Sequence, residues 1–342
     1  MKKNALVSVI VLHYRQKQYI QPCLDSIISQ TYSPLEIFFI DNNSEAVDFD
    51  RLREAYPAVR FIVNQENLFF SKAFNVAIPL TQGELVMPLN VDIKLTPTFI
   101  QHMVHAMDLD SNVGMVSGKL LQMNDGFVPM EPARIDSAGI YLTPALRHFD
   151  RGSREIDDGQ YNELEYIFGP SGAAPLYRRR MLDDIVFEKE YFDEDFVIYR
   201  EDVDLAWRGQ TLGWQAVYSP QAIAYHIRRI RPDDDRSTIQ PILNFHSVKN
   251  RFLMRIKNLT IMNWLRFFFP SLFRDILVVG YVFVLEWSSL RALALVIKLL
   301  PRTLAKRKAI MEKKRVSSRY IAAWISNRPA AFPFSAKKQQ EL

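Results

Sequence analysis

The chain has almost no cysteine, and this limits the kind of protein it can be. Cys23 is the only cysteine among 342 residues, so no internal disulfide can form. A reducing compartment fits this composition best. The first residues run straight into strand-like sequence, without the apolar stretch and small-residue cleavage site of a secretory signal. We therefore expect a cytoplasmic protein with no such signal.

The sequence also lacks an apolar run long enough to cross a membrane, because a bilayer span needs about 20 mostly apolar residues. The longest uninterrupted run near the C-terminus covers residues 276–285. The charged residues that interrupt the apolar segments around it are Arg274, Asp275, Glu286, Arg291 and Lys298. We therefore expect helices that lie on a membrane surface rather than cross it.

Acidic residues are scarce at the C-terminal end. Residues 259–342 hold 15 Lys and Arg and 4 Asp and Glu, a net charge of +11, whereas residues 1–258 carry 28 basic and 34 acidic residues, a net charge of −6. Such a tail suggests an anionic partner, either nucleic acid or lipid. The tail is also rich in Trp, Phe and Leu, so we expect an anionic membrane surface and no nucleic acid. The basic residues expected at the head groups are Lys306, Arg307, Lys308, Lys313, Lys314 and Arg315.

Short apolar runs and helical patterns alternate in the first part of the chain. The runs typical of buried strands cover residues 7–12, 37–40, 60–63 and 85–89, and the helical patterns cover residues 19–30 and 71–80. This alternation predicts an α/β fold with a mostly parallel sheet and helices on its faces. The later patterns predict an irregular or antiparallel insertion at 124–165, a helix at 201–212, and short strands at 216–218 and 222–225.

Polar residues follow the predicted strands at their carboxyl ends, where such sheets bind ligands. His13, Asp41, Asn67 and Asp92 lie at or shortly after these ends. A short acid such as Asp92 is a suitable oxygen ligand for a divalent cation. A second acidic cluster, at residues 201–204, follows much later and could supply a group that removes a proton.

The order of these motifs resembles that of the family 2 glycosyltransferases, in particular the bacterial rhamnosyltransferase-like members that build surface polysaccharides. The resemblance covers roughly residues 6–255. Its segments are the opening strand at 7–14, the first helix at 23–32, a strand end at 40–44, residues 67–78, the metal motif at 89–92, the acceptor-side signature at 192–208 and a closing region at 220–226. The resemblance implies a GT-A fold and an inverting mechanism.

The resemblance also implies roles for the two acidic clusters. Asp92 would hold Mg²⁺ or Mn²⁺ against the donor diphosphate, with His226 as a second ligand. Asp202 would be the general base that takes the proton of the acceptor hydroxyl, with Glu201 as the fallback. Simpler explanations stay open from the residues alone: a turn residue at Asp92, an ordinary polar strand end at His226, and helix-start acids at 201–204.

The nucleotide sugar would bind among residues of the first third of the chain. Asp41 would accept a hydrogen bond from the N3–H group of a uracil or thymine ring, although it is also a common turn residue. The other residues expected to border the donor are His13, Tyr14, Asn67, Lys72 and Asn90. Those expected to bind acceptor hydroxyls are Asp193 and Glu194, and those expected to close as a lid are Arg228, Arg229 and Arg231. A solvated surface lysine and a solvated charge run are the alternatives for Lys72 and for the lid.

This chain departs from the family pattern in two places. It has Phe69, Ala73 and Ala77 where the family often has glycines, and these larger side chains narrow the donor side. Asn90 replaces the first Asp of the metal motif, so one negative charge is missing there.

We therefore predict a metal-dependent glycosyltransferase at the inner face of the cell membrane. Its donor would be a dTDP- or UDP-linked sugar, with dTDP-rhamnose favoured, and its acceptor a saccharide or lipid-linked saccharide. The catalytic domain would cover residues 1–258, with a nucleotide-binding half to about residue 120 and an acceptor half after it, and residues 259–342 would form a basic, amphipathic helical extension. An inactive relative that binds nucleotide or scaffolds a membrane complex is the alternative, and a nucleic-acid binder would rest on the basic tail alone.

Overall fold

The computed structural model describes residues 4–45, 47–228, 240–326 and 332–333. Its strands are β1 (Val7–His13), β2 (Leu35–Asp41), β3 (Val59–Val63), β4 (Leu85–Asn90), β5 (Ile93–Leu95), β6 (Val113–Gln122), β7 (Ile135–Ser137), β8 (Ile140–Leu142), β9 (His148–Asp150), β10 (Glu165–Ile167), β11 (Leu176–Arg178), β12 (Gln215–His226) and β13 (Phe332–Pro333). Its helices are α1 (Ile20–Ile28), α2 (Phe49–Ala55), α3 (Phe69–Ala77), α4 (Phe99–Met107), α5 (Arg179–Ile185), α6 (Glu201–Thr211), α7 (Pro241–Asn258), α8 (Ile261–Arg266), α9 (Phe268–Leu285), α10 (Leu290–Glu312) and α11 (Ser318–Ala323).

The main sheet is mixed, with the strand order β13-β10-β12-β6-β11-β4-β1-β2-β3. Strands β3, β2, β1 and β4 are parallel neighbours, and β11 joins this parallel part to β6 through antiparallel pairs. Strands β6 and β12 are again parallel to each other. The parallel register brings His13, Asp41 and Asn90 to the same end of their strands, and Asp92 follows two residues after Asn90.

Strand β1 is central because its sequence suits burial on both faces. Residues 7–11 are fully shielded from solvent between β2 and β4, and four of the five are Val or Ile. A strand covered on both faces has apolar residues at nearly every position, and such a continuous apolar run can be recognised in the sequence.

One strand prediction is wrong in detail. The two short strands expected around Pro220 form the single strand β12, whose register against β6 shifts between Ser219 and Ile223. Proline cannot donate a hydrogen bond to a sheet, and a bulge at this point lets the strand continue past it. Beyond the bulge, β12 pairs with β5, and this pairing sets His226 opposite Ile93.

The C-terminal helices pack on the body through charged side chains. Lys306 of α10 is 3% exposed, and its ammonium nitrogen lies 2.9 Å from Glu190, 2.5 Å from Asp193 and 2.7 Å from Asp195. Arg315 contacts Asp184 at 2.8 Å. The prediction that Lys306 faces lipid head groups is therefore wrong, because acids of the body bind it.

Helix α9 is longer and more continuous than the sequence suggests. It runs unbroken for 18 residues through Arg274 and Asp275, and most of its surface is exposed. Within the described residues it is the one helix whose length and composition would allow it to cross a membrane.

Candidate active site

The acid-bearing helix α6 begins beside a short stretch of chain that also contacts the end of β4. One carboxylate oxygen of Asp202 (Oδ2) accepts a hydrogen bond from the N–H group of Gly172 at 2.9 Å, and the other (Oδ1) accepts from Val203 at 2.7 Å. The next residue, Ala173, accepts a hydrogen bond from the N–H group of Asn90 at 3.0 Å. The general-base candidate and the metal motif therefore flank the same two residues.

The three acids of α6 have different environments. Asp204 is fully buried, with its carboxylate oxygens 2.9 Å from Arg208 and 2.7 Å from Lys257. Glu201 is 7% exposed; burial and the neighbouring Asp202 raise its pKa well above the usual range. Asp202 is the partly exposed member, and its pKa is raised by burial and by Asp150. A carboxylate with a raised pKa is a stronger base, and the partly exposed one is better placed to meet an acceptor.

Asp92 lies in the turn between β4 and β5, and the β5–β12 pairing brings His226 to it. The distance from Asp92 Oδ1 to His226 Nε2 is 3.5 Å. The Oδ1 atom is buried and has no hydrogen-bond partner among the described residues. On the other side of the ring, the Nδ1–H group of His226 donates to Asp136 at 2.8 Å. A carboxylate behind a histidine fixes its orientation and is typical of metal-binding histidines.

The electrostatics of this pair suit a cation. Burial alone would lower the pKa of His226, but the carboxylates of Asp136 and Asp92 raise it to about 9. The two carboxylates therefore favour positive charge at this ring, and a metal ion that binds Nε2 has to displace the proton there. No group of three His, Cys, Asp or Glu side chains suited to a metal is found within the described part of the chain. Two protein ligands suffice for a Mg²⁺ or Mn²⁺ ion that shares substrate phosphates.

Arg228 connects the metal pair to Asp202. Its guanidinium lies 3.4 Å from Asp136 and 2.5 Å from Asp150. Burial would lower its pKa, but these two carboxylates raise it. Asp150 in turn acts on the pKa of Asp202. Two acidic regions far apart in sequence thus belong to one connected site.

The family model described as "Glycosyl transferase family 2" matches residues 8–186, more than half of the chain. The chain belongs to glycosyl transferase family 2. It is 30% identical over 205 residues to an "Uncharacterized glycosyltransferase" of Haemophilus influenzae, covering 59% of this chain and 61% of that relative. It is 25% identical over 240 residues to the N-acetylglucosaminyl-diphospho-decaprenol L-rhamnosyltransferase of Mycobacterium tuberculosis, covering 65% of this chain and 76% of that protein.

Solved structures confirm the predicted GT-A fold. S. aureus TarS 1-349 in complex with UDP-GlcNAc matches with a TM-score of 0.55 and 17% identity, over 97% of both chains. GalNAc-T7 with UDP, GalNAc and Mn²⁺ matches with a TM-score of 0.57 and 11% identity, over 75% of this chain and 48% of that one. At these identities the likeness concerns the fold alone.

In this family 2 chain, His13 and Asp41, which we expect at the nucleotide base, are hydrogen-bonded to each other and to neighbouring backbone groups. His13 Nε2 accepts from the N–H group of Gln16, so its Nδ1 carries the hydrogen and donates to Asp41 Oδ1 at 2.7 Å. Asp41 Oδ2 accepts from Ser44 N–H at 2.8 Å. Burial would raise the pKa of Asp41, but these hydrogen bonds lower it. Recognition of a base by Asp41 stays a prediction, and it would use a remaining lone pair of this buried carboxylate.

The other donor-side residues lie nearer the surface of this family 2 domain. Tyr14 is 36% exposed, and the guanidinium of Arg15 lies 5.0 Å from its ring centre. The side chain of Asn67 accepts from the N–H group of Phe69 at 2.8 Å, and Lys72 is half exposed, 3.5 Å from Glu66. Their contacts with a donor stay predictions. Of the predicted lid, Arg228 is described above, and Arg229 and Arg231 lie outside the described residues.

The residues expected to bind the acceptor are engaged elsewhere. Asp193 is 5% exposed and is bound by Lys257 and Lys306, and the void beside it measures about 10 Å³, the size of about one water. Burial would raise its pKa, but the two lysines hold it well below the usual range. Glu194 accepts from Asn75 at 3.1 Å. The acceptor roles stay predictions, and for Asp193 a sugar would have to displace a lysine.

Sequence reasoning misses several residues of the site. Asp136, Asp150 and Gly172 carry no motif, and their roles arise from contacts between distant segments. Asn250 of α7 is also missed: its side-chain amide donates to the carbonyl oxygens of Phe196, Ile198 and Tyr199, each at 2.8 Å. The backbone φ angles are positive at Val197, Tyr199 and Arg200. Asn250 therefore braces the strained loop that leads into Glu201 and Asp202.

Proposed function

We propose that this protein is an inverting, metal-dependent glycosyltransferase that moves rhamnose from dTDP-rhamnose to a lipid-linked saccharide. The observation that carries the proposal is the contact of Asp202 with Gly172 and of Asn90 with Ala173, which sets the base candidate beside the strand end that leads to Asp92 and His226. The rhamnosyltransferase relative supports the choice of sugar and of a lipid-linked acceptor. The solved neighbours with UDP ligands make a UDP-linked sugar the second choice of donor.

The proposed chemistry is a single displacement. Asp202 removes the proton of an acceptor hydroxyl while that oxygen attacks the anomeric carbon, and the bond from this carbon to the diphosphate oxygen breaks. Attack opposite the leaving group inverts the anomeric configuration. The raised pKa of Asp202 supports this role, since it strengthens the base. Glu201, buried and with a pKa raised further, is better suited to stay protonated.

Asp92 and His226 would hold Mg²⁺ or Mn²⁺, and the neighbour crystallised with Mn²⁺ supports a divalent ion. A bound ion would supply positive charge where the departing diphosphate becomes negative. Asp136 keeps the His226 ring oriented with Nε2 toward Asp92. Asn90 would line the sugar side of the same edge.

We further propose that the enzyme works at the inner membrane surface, with residues 1–258 as the catalytic domain and residues 259–342 as the membrane-associating extension. The support is an exposed apolar surface on α8 and α9, which includes Ile261, Phe269, Phe273, Ile276, Val284 and Leu285. Apolar patches of this kind mark interaction surfaces. Asp275, midway along α9, pairs with Arg251 and Arg255 of α7, which favours α9 lying along the body in the plane of the membrane.

Calorimetric titration with UDP and dTDP, with and without Mn²⁺, tests the proposal on the intact protein. Asp92→Ala should lose Mn²⁺-dependent nucleotide binding, whereas Asp202→Ala should keep it and lose sugar transfer. The nucleotide that binds with the higher affinity identifies the nucleobase of the donor. Full turnover by both variants would reject the site. Nucleotide binding without transfer to any acceptor would support the inactive relative instead.

A further inference from the structure

A groove lies between α7, α8 and α10, next to the exposed apolar surface. It has a cavity volume of about 230 Å³, several times the roughly 30 Å³ that a water molecule occupies. Its walls include Phe252, Leu259 and Trp264, and two cationic side chains, Arg255 and Arg307. The groove thus joins an apolar wall to a pair of guanidinium groups.

The guanidinium groups around this groove outnumber their acidic partners. Asp275 is shared by Arg251, at 2.9 Å, and Arg255, at 2.6 Å. The Nε atom of Arg255 is buried and has no hydrogen-bond partner among the described residues. Arg307 donates to the carbonyl oxygens of Ile256 and Lys257, and no carboxylate within the described ranges pairs with it.

The ionisation of these side chains agrees with a local shortage of anions. Burial lowers the pKa of Arg251 to about 10. The neighbouring Arg255 and Arg274 lower this pKa as well, whereas Asp275 raises it. Burial likewise lowers the pKa of Arg307. The other buried cation of α10, Lys306, has three carboxylates, those of Glu190, Asp193 and Asp195. At the groove, by contrast, Arg251 and Arg255 share one carboxylate and Arg307 has only backbone carbonyl acceptors, so positive charge is in excess there.

The surroundings of the groove indicate the kind of anion. Ile261 is 72% exposed and Trp264 is 47% exposed, and the apolar surface continues from them to Phe269 and Phe273 of α9. A soluble anion would leave this surface in water. An amphiphile would cover it with its chains while its head group reached Arg255 and Arg307. Guanidinium groups match phosphate oxygens through paired hydrogen bonds.

We propose that this groove binds the phosphate head group of one anionic membrane phospholipid through Arg307 and Arg255, with the acyl chains lying over α8 and α9. The inference rests on the proposed membrane association and adds a specific lipid site to it. It predicts a preference for anionic lipid that depends on one groove rather than on the total charge of the tail.

Binding of the full-length protein to vesicles tests the site. One set of vesicles is pure phosphatidylcholine, and the other contains equal parts of phosphatidylcholine and phosphatidylglycerol. Arg307→Gln removes a groove charge, and Arg307→Lys keeps the charge but loses the paired donors. Lys308→Gln is the matched control, because it removes the same charge from the adjacent, 78% exposed position of α10. Thermal unfolding verifies that each variant is folded.

We expect the wild type to prefer the anionic vesicles, and Arg307→Gln to lose about tenfold of that affinity. Lys308→Gln should lose only the several-fold expected for one charge near an anionic surface. Arg307→Lys should fall between the wild type and Arg307→Gln. Binding to pure phosphatidylcholine should be the same in all variants, since the apolar surface is intact.

Four results would overturn the proposal. If Arg307→Gln and Lys308→Gln lose the same affinity for anionic vesicles, the preference for anionic lipid comes from the total charge of the tail and not from the groove. Equal binding of the wild type to both vesicles would remove the lipid site but leave the membrane association standing, whereas no binding to either would remove both. Arg307-dependent binding of soluble glycerol phosphate, with no added gain from vesicles, would assign the groove to a soluble anion.

Discussion

Two acidic segments on either side of the loop at residues 196–200 behave in opposite ways. Asp193 is enclosed by Lys257 and Lys306, which hold its pKa below the usual range. Asp202 receives two backbone hydrogen bonds but no lysine, and its pKa is raised by burial and by Asp150. An acid that is fully paired stabilises the fold, whereas an acid that is partly desolvated and has no lysine bound to it is better suited to the base role proposed for Asp202. The environment rather than the residue type separates the two roles.

The largest effect should come from the base. Asp202→Asn keeps the size and hydrogen-bond acceptor of the side chain and removes its basicity, so kcat should fall by about 10²–10⁴. Mn²⁺-dependent nucleotide binding and the free energy of unfolding should be retained. Transfer assays and calorimetry on the same preparation measure both. An unchanged kcat would show that another residue is the general base, and Asp202 would then not differ from Asp193 in catalytic role.

Asp193→Asn should reverse this pattern. The buried lysines Lys257 and Lys306 would lose a carboxylate, and breaking such a pair costs about 3 kcal/mol or more of unfolding free energy. Urea unfolding at neutral pH measures the loss, while kcat per folded molecule should stay near the wild-type value. Asp50→Asn is the control, because Asp50 forms an exposed pair with Arg53 and should show no measurable change. A loss of acceptor affinity without loss of stability would instead restore the predicted acceptor role of Asp193.

The pH dependence of stability should also differ in sign between the two segments. The lowered pKa of Asp193 means that its contribution is present at neutral pH and is lost as the pH falls below about 3.9. The raised pKa of Glu201 means that the folded state keeps a proton that the unfolded chain releases above about pH 4.3, so stability falls as pH rises.

Glu201→Gln tests that second sign. In the wild type, the unfolding free energy should decline between about pH 5 and pH 7. In the variant this decline should be shallower, by up to about 1.4 kcal/mol per pH unit. Urea unfolding at both pH values measures the slope. Glu66→Gln, at an exposed carboxylate beside Lys72, should keep the wild-type slope. The same slope in Glu201→Gln as in the wild type would show that Glu201 is ionised in the folded protein.

How far the sequence predicts this molecule depends on whether a feature is local. Strands β1, β2 and β4 are predictable because strands buried on both faces read as unbroken apolar runs. Asp92 and His226 are both named from the sequence, and the β5–β12 pairing brings them within 3.5 Å. Asp136 completes that site, but nothing in its local sequence distinguishes it.

The basic tail shows the limit of composition. Charge counts correctly reveal an excess of positive charge after residue 258 but cannot tell which face of a helix carries it. In the folded chain Lys306 turns toward acids of the body, while Lys308 stays exposed. The same count therefore includes a lysine in an internal ion cluster, a solvated lysine, and Arg307, which donates to backbone carbonyls and to no carboxylate among the described residues.

The smallest expected effect sharpens the comparison by moving Asp202 without changing its chemistry. A β-carbon added at Gly172 would lie 3.3 Å from the Oδ2 and Cβ atoms of Asp202, a tight contact that pushes the carboxylate away. We expect Gly172→Ala to lower kcat by about tenfold, since a small misplacement of a catalytic group is costly, and to leave nucleotide binding unchanged. Gly280→Ala is the control, because no atom lies within 4 Å of its added β-carbon, and its kcat should equal that of the wild type. If Gly172→Ala keeps full kcat, the hydrogen bond from Gly172 does not set the position of the base, and the raised pKa of Asp202 alone would distinguish it from Asp193.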